Sequence, residues 1–333
     1  MTGVQTCALP ISKIASYVPW AYNFVFDTKP LRRLANRVVG FHPDRTMPLL
    51  AKQTLKKWFE APQQAPQAPK PPGGELSPLV FSPPLGAGGL AGGLYIFCDE
   101  FTNYNDVEIG KKAISLLQRL GYQVVIPEHS SSGRPQLSKG LLKDARKIAE
   151  ANVRMLKDLV SAQTPLVGIE PSAILTFRDE YPDLVPDELV DAARELAKNA
   201  LTFEEFIARE IDAKRILPSS FTKDPKIIKL HGHCQQKAVS SLVPSKKMLS
   251  LPANYQVQLI PSGCCGMAGS FGYEQEHYDL SMQIGELVLF PAVRAQADDV
   301  IIAAAGTSCR HQIHDGTHRR AQHPAEILFE ALL

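Results

Sequence analysis

Residues 262–269 read Ser262-Gly263-Cys264-Cys265-Gly266-Met267-Ala268-Gly269, a vicinal cysteine pair set between glycines in a chain of 333 residues. Just before it, Gln256–Ile260 reads as a strand, and after it Glu274–Arg294 carries helical spacing. A strand, a glycine-rich turn and a helix are the repeating unit of a parallel α/β fold. The same order recurs on both sides of this stretch. Ile227–Leu230 reads as a strand that runs through His231-Gly232-His233 into Cys234 and a helical run from Gln235 to Leu242. Asp299–Ala304 reads as a strand followed by Gly306-Thr307-Ser308-Cys309, and a last helix covers Pro324–Leu332.

Further upstream the alternation continues. Leu94–Phe97, Tyr122–Ile126 and Pro165–Ile169 have strand character, Val107–Leu120 is a helical run stopped by Gly121, and Lys139–Leu159 is helical. Asp187–Ile211 carries helical periodicity with many charges and is expected to be a surface or bridging helix. The two halves read as one plan used twice. Cys98 follows the first strand of one half as Cys234 follows that of the other. Ser131-Ser132-Gly133 stands where Cys264-Cys265-Gly266 stands, and Glu170-Pro171-Ser172-Ala173 where Gly306–Cys309 stands. Cys98 and Ser131 are 33 residues apart and Cys234 and Cys264 are 30; Ser132 to Ala173 is 41 and Cys265 to Cys309 is 44. The expected fold is α/β: two tandem, related parallel α/β cysteine-rich domains following a helical N-terminal segment and a Pro-rich linker. The boundaries are a helical segment over 13–60, a Pro/Gly-rich linker over 61–90, a degenerate domain over 91–185, bridging helices over 186–223 and a cluster-binding domain over 224–333.

In an open parallel sheet the loops leaving the carboxyl ends of the strands meet at one edge, where ligands bind. Cys234, Cys264, Cys265 and Cys309 each follow an expected strand, so distant positions converge there. Four thiolates at one edge are the ligand set of an iron–sulfur cluster. Gly263 and Gly266 suit a backbone that must approach a bulky cofactor, and amides in such a loop can donate to cluster sulfur. A zinc site, a redox disulfide and inert packing are the alternatives; adjacent cysteines do not form the usual Cys-x-x-Cys zinc knuckle. In the first half, serines 131 and 132 and Ala173 replace thiolates, and Cys98 alone cannot hold a cluster. That half is expected to be a structural partner closing over the second.

Seven of the nine histidines lie at or after His231. His231 and His233 lead directly into Cys234, and either supports the cofactor or ends a polar strand as an exposed residue. His311 is a candidate fifth ligand, with a purely structural histidine as the alternative. Gly133-Arg134, Lys139 and Lys143 form a basic loop and helix start that would suit an anion, or be ordinary solvated charge. No catalytic residue is singled out.

Lys and Arg number 36 against 34 Asp and Glu, a formal net charge of +2 that argues against nucleic acid as the main partner. Six cysteines are too few for a disulfide scaffold. No apolar run approaches the length that spans a bilayer, so no transmembrane segment is expected. Residues 1–12 lack the pattern of a signal peptide and match one reading frame of a sequencing adaptor, Cys7 included. They are expected to be an artefact, with the natural protein extending upstream. Residues 13–60 hold nine Lys and Arg and both tryptophans, Trp20 and Trp58, and are expected to pack on a neighbouring domain absent from this chain, with membrane-surface attachment as the alternative. Eight of 26 prolines fall between Pro62 and Pro84, a semi-extended linker.

The pattern of Cys234, then Cys264-Cys265-Gly266, then Cys309 resembles the cysteine-rich domain repeated in iron–sulfur oxidoreductases, and Cys98 matches its first copy. Over residues 92–333 the stretches 132–142, 231–237, 262–274 and 306–313 are similar to the C-terminal part of large FAD-dependent, iron–sulfur D-2-hydroxyacid dehydrogenases, the D-lactate, glycolate and D-2-hydroxyglutarate dehydrogenases of bacteria. The chain departs from the full pattern at Gly306, where a further cysteine would stand, leaving four candidate ligands instead of five, which speaks against a larger noncubane cluster and remains compatible with a [4Fe–4S] cluster. The resemblance implies oxidation of a 2-hydroxy acid to a 2-oxo acid at FAD on a preceding flavin domain of the same protein. Electrons would pass through the cluster to a quinone, cytochrome or carrier, and this fragment would be inactive alone. A heterodisulfide-reductase-like or quinone-linked iron–sulfur subunit, and a zinc-stabilised scaffold, are the other readings. Reduced thiols suit the cytoplasm or the inner membrane face.

Overall fold

The computed structural model describes residues 15–61 and 92–333. The expectations for residues 1–12 and for nearly all of the linker lie outside the described residues.

The described chain folds into two four-stranded parallel sheets of the same topology. The first contains β1 (Gly92–Phe97), β2 (Tyr122–Val125), β3 (Leu166–Gly168) and β4 (Ala200–Thr202) in the order β2-β1-β3-β4. The second contains β5 (Lys226–His231), β6 (Tyr255–Leu259), β7 (Ile301–Ala304) and β8 (Ala321–Gln322) in the order β6-β5-β7-β8. Every pairing is parallel, with Leu94 opposite Val124 in one sheet and Ile228 opposite both Val257 and Ile301 in the other. The tandem α/β architecture and the doubled plan are thus those of the sequence. The central strands are buried on both faces by helices, which is why β1 and β7 read as short unbroken apolar runs.

Several elements differ from the sequence reading, each for a local reason. Asp187–Ile211 is not one bridging helix but two, Val190–Asn199 and Phe203–Asp212, separated by β4. Thr202 accepts from the Glu205 N–H while the Glu205 carboxylate accepts from the Thr202 N–H, a capping box that starts a new helix and leaves the preceding residues extended. The first sheet therefore draws its outer strand from beyond residue 185. The helix expected over 274–294 begins at Tyr278 and breaks at Val288. Pro291 explains the break, because its ring cannot coexist with a helical carbonyl four residues earlier. The helix Thr307–Thr317 and the strand β8 were not expected.

One apolar core crosses from sheet to sheet, joining Leu94, Ile96 and Leu117 to Ile228, Leu230 and Leu328. A second lies within the first unit, around Phe97, Phe177 and Tyr181. A third lies beneath the cysteine loops, where Met267, Phe290 and Ile313 surround Cys265 and Cys309.

The N-terminal segment forms the helices Pro19–Asp27, Lys29–Val38 and Leu55–Glu60. It docks on both units of this chain: the Lys56 N–H donates to Asn103 Oδ1 at 3.1 Å and Asn105 to the Leu49 carbonyl at 3.0 Å in the first unit, and Arg45 enters the second. Arg45, fully buried, donates to the Gly272 carbonyl at 2.8 Å, to Gln312 Oε1 at 2.7 Å and to Asp315 at 3.2 Å, and its guanidinium lies 4.7 Å from the Tyr278 ring. Tyr17, Trp20, Phe24, Leu34 and Val38 remain exposed.

Candidate metal centre

Because β5 lies between β6 and β7, the loops leaving these three strands are neighbours at the carboxyl edge of the sheet. That placement brings Cys234, Cys264, Cys265 and Cys309 together. Cys234 is the first residue of the helix Cys234–Val239, started by His233, whose Nδ1 accepts from the Gln235 N–H at 3.2 Å. Cys309 lies in the first turn of Thr307–Thr317. Cys264 and Cys265 sit on the loop after β6, and that loop is clamped from the side. Lys237 Nζ donates to the carbonyls of Ser262 and Gly263 at 3.0 and 2.6 Å. Gly266 has φ +97°, and a β-carbon there would lie 2.2 Å from the Ser281 carbonyl oxygen, so only glycine fits. Its N–H donates to Cys264 Sγ at 3.3 Å. At Gly263 a β-carbon would meet nothing within 4 Å.

The thiols lie close enough to shift one another's acidity, Cys234 with Cys264, Cys264 with Cys265, and Cys265 with Cys309. Cys264 is pulled well below the ordinary thiol range by its neighbours Cys234 and Cys265, and Cys309 likewise by Cys265. Cys234 and Cys265 are pushed up by the same neighbours, with burial adding to the effect. A cation entering the group would displace the protons that these thiols keep.

The histidines separate. His231, the last residue of β5, is 1% exposed, and one of its ring nitrogens forms with Cys265 Sγ and Cys309 Sγ a group whose atoms all lie within 4.8 Å of one another. His233, the histidine expected to contact the cofactor, turns its ring onto Gly306. A β-carbon at Gly306 would stand 2.3 Å from the His233 ring and 3.4 Å from Cys309 Sγ. His233 Nε2 lies 3.8 Å from Glu170 of the first unit. His311 is half-buried near Asp315, Asp106 and Arg310 and is not part of the group formed by His231, Cys265 and Cys309.

The equivalent edge of the first unit is closed. Ser132 donates its hydroxyl to Glu100 Oε1 at 2.5 Å and its N–H to Glu100 Oε2 at 3.0 Å, where the second unit has a cysteine. Cys98 is buried beside Asn103 and the His129 ring, and burial pushes its thiol up. This edge faces the cysteine site: Glu170 accepts from the Thr307 N–H at 2.8 Å, and Thr307 lies two residues before Cys309. The basic residues of the loop are committed internally, Arg134 to Glu180 and Lys139 to Glu274, while Lys143 is exposed. Sequence reading did not assign Lys237 or Glu170. Lys237 is three residues past Cys234, the spacing that puts two side chains on one helical face, and that was the available signal. Glu170 gave none, because its partner is 137 positions away.

The donor set fits a thiophilic metal centre. Four thiols share one edge, one buried histidine nitrogen there has no hydrogen-bond partner, and a glycine-only turn aims an amide at a sulfur. No protein-family model matches the chain. Among curated proteins it is 24% identical over 330 residues to D-2-hydroxyglutarate dehydrogenase of Escherichia coli (strain K12), an alignment covering 97% of this chain and 30% of that protein. It is 25% identical over 314 residues to the C subunit of anaerobic glycerol-3-phosphate dehydrogenase from the same organism, covering 93% of this chain and 72% of that one. Lactate utilization protein A of Bacillus subtilis (strain 168) is 27% identical over 184 residues, 54% of this chain and 73% of that protein. The chain therefore spans less than a third of the D-2-hydroxyglutarate dehydrogenase and most of the glycerol-3-phosphate dehydrogenase polypeptide. Its relationship is to oxidoreductases of the dehydrogenase kind. Among the described residues no helix is long and apolar enough to cross a membrane.

Proposed function

We propose that this chain is the electron-transfer portion of a flavin-linked dehydrogenase, holding an iron–sulfur cluster on Cys234, Cys264, Cys265 and Cys309. The observation that carries this reading is the convergence of the four cysteines on neighbouring loops at one sheet edge, where Cys265 Sγ, Cys309 Sγ and a ring nitrogen of His231 lie within 4.8 Å of one another. A bound [4Fe–4S] cluster supplies one-electron transfer. The chain's own residues do the rest. Lys237 fixes the Cys264 loop and places a positive charge beside the thiolates, the Gly266 N–H donates to sulfur, and Glu170 and the first unit cover the edge against water. The names D-2-hydroxyglutarate dehydrogenase and lactate utilization protein among the relatives support a 2-hydroxy acid as electron source, oxidised to the 2-oxo acid at FAD on a flavin domain. The exposed face of Tyr17, Trp20 and Phe24 offers such a domain an apolar surface.

A second reading has its own support, since the alignment covers 72% of a relative that is named as one polypeptide of a larger dehydrogenase. Here the chain is a separate iron–sulfur subunit, heterodisulfide-reductase-like or quinone-linked, that works with a partner flavoprotein. A zinc-stabilised scaffold is a third, which metal analysis separates.

The test is anaerobic. The reconstituted chain should bleach on reduction and recover its visible absorption on reoxidation, and should oxidise no 2-hydroxy acid until a flavoprotein is added. Robust 2-hydroxyacid oxidation by the chain alone would sink the proposal.

A further inference from the structure

We infer that His231 is itself a ligand of the metal centre, binding through Nε2, so that the site combines thiolate and imidazole donors. The inference rests on the reading of the four cysteines as cluster ligands and adds a donor to them.

Three observations carry it. First, position: the ring closes the carboxyl end of β5, nearly inaccessible to water, with a nitrogen in the same compact group as Cys265 Sγ and Cys309 Sγ. Second, His231 Nε2 is buried and has no hydrogen-bond partner. Leaving a buried polar atom unsatisfied is costly, and a cation bound there would remove that penalty. Third, the tautomer. His231 Nδ1 lies 2.7 Å from Ser262 Oγ, and the Ser262 hydroxyl is directed at the Ile260 carbonyl oxygen 3.5 Å away. When Ser262 Oγ accepts from Nδ1–H, Nε2 keeps a free lone pair. A histidine that ligates a metal characteristically donates its other N–H to a supporting acceptor in this way.

The neighbouring His233 is otherwise engaged. His233 uses Nδ1 to start the Cys234 helix, and its ring fills the space into which a side chain at Gly306 would project. The absent cysteine at 306 therefore leaves no opening for another donor from that side, and His231 approaches from the adjacent strand. As a donor added to four thiolates, a neutral imidazole brings no further negative charge, whereas a fifth thiolate would make the centre more negative and lower its reduction potential.

The experiment uses the whole chain, reconstituted anaerobically with iron and sulfide, labelled with heavy-nitrogen histidine and reduced with dithionite. Electron–nuclear double resonance should show a directly bound nitrogen whose frequency shifts with the label. That signal should vanish in His231→Gln and persist in His233→Gln, and His231→Cys should lower the midpoint potential. An iron-loaded parent without histidine nitrogen coupling would overturn the assignment while leaving the four cysteines as ligands; so would a coupling that survives His231→Gln. A parent that takes up no iron overturns the cluster reading and this inference with it. The labelled parent decides the point even if the variants do not fold.

Discussion

At the scale of single residues, Gly266 illustrates how the site constrains its own loop. Its positive φ and the Ser281 carbonyl 2.2 Å from a would-be β-carbon leave no room for alanine. Gly266→Ala should lower stability by roughly 1–3 kcal/mol, the usual cost of forcing a side chain into such a conformation, read as a fall in the urea midpoint. An unchanged midpoint would mean that the turn is free to relax. Glu204 makes a different case. Both its carboxylate oxygens are buried without partners, and burial pushes the carboxyl up to about 7 from 4.5. An acid with a raised folded-state value keeps its proton in the fold after the unfolded chain has released it. Its contribution is therefore intact below the unfolded value, declines as pH climbs toward about 7, and is flat above that. The full decline is on the order of 3 kcal/mol. Glu204→Gln should thus raise the melting temperature at pH well above neutrality and leave it nearly unchanged in acid. Equal effects at both extremes would contradict the assignment.

At the scale of elements, legibility followed the physics of burial. Strands β1, β5 and β7 could be read because their own side chains fill the core, and the vicinal pair because glycines flank it. The helix Thr307–Thr317 could not. Its residues are mostly polar, its inward face consists of Thr307, Cys309, Gln312 and Ile313, and no apolar period marks it. The four cysteines could be assigned to one edge by topology alone, whereas choosing between His231 and His233 required knowing which ring faces sulfur. The docking of the N-terminal segment was equally hidden, since Arg45 finds Gln312 and Asp315 more than 260 positions away. Its buried pair with Asp315 leaves each charge dependent on the other. Arg45→Met strands Asp315 and should cost about 3–5 kcal/mol, whereas removing both charges in Arg45→Met, Asp315→Leu should cost much less. Chemical denaturation of the two variants checks this; a double variant as unstable as the single would show that the arginine acts through its other contacts.

At the scale of the molecule, the two units are not independent beads. The shared core runs from Ile96 to Leu230, Thr307 is tied to Glu170 and Asp106, and Arg178 of the first unit meets Glu205 and the Val239 carbonyl. Heating should therefore give a single cooperative transition, and a piece comprising 224–333 alone should aggregate through its uncovered core face. Two separated calorimetric peaks would show that the interface is weaker than its burial implies. The doubled architecture also gives the halves unequal duties: one edge is closed by Ser132 and Glu100, the other offers four thiols.

Iron and acid-labile sulfide, measured on the anaerobically reconstituted chain beside a Cys264→Ser, Cys265→Ser double variant, address the central claim most directly. The account predicts about four of each in the parent, largely lost in the variant. Neither iron nor sulfide in the parent, or zinc in their place, would contradict it.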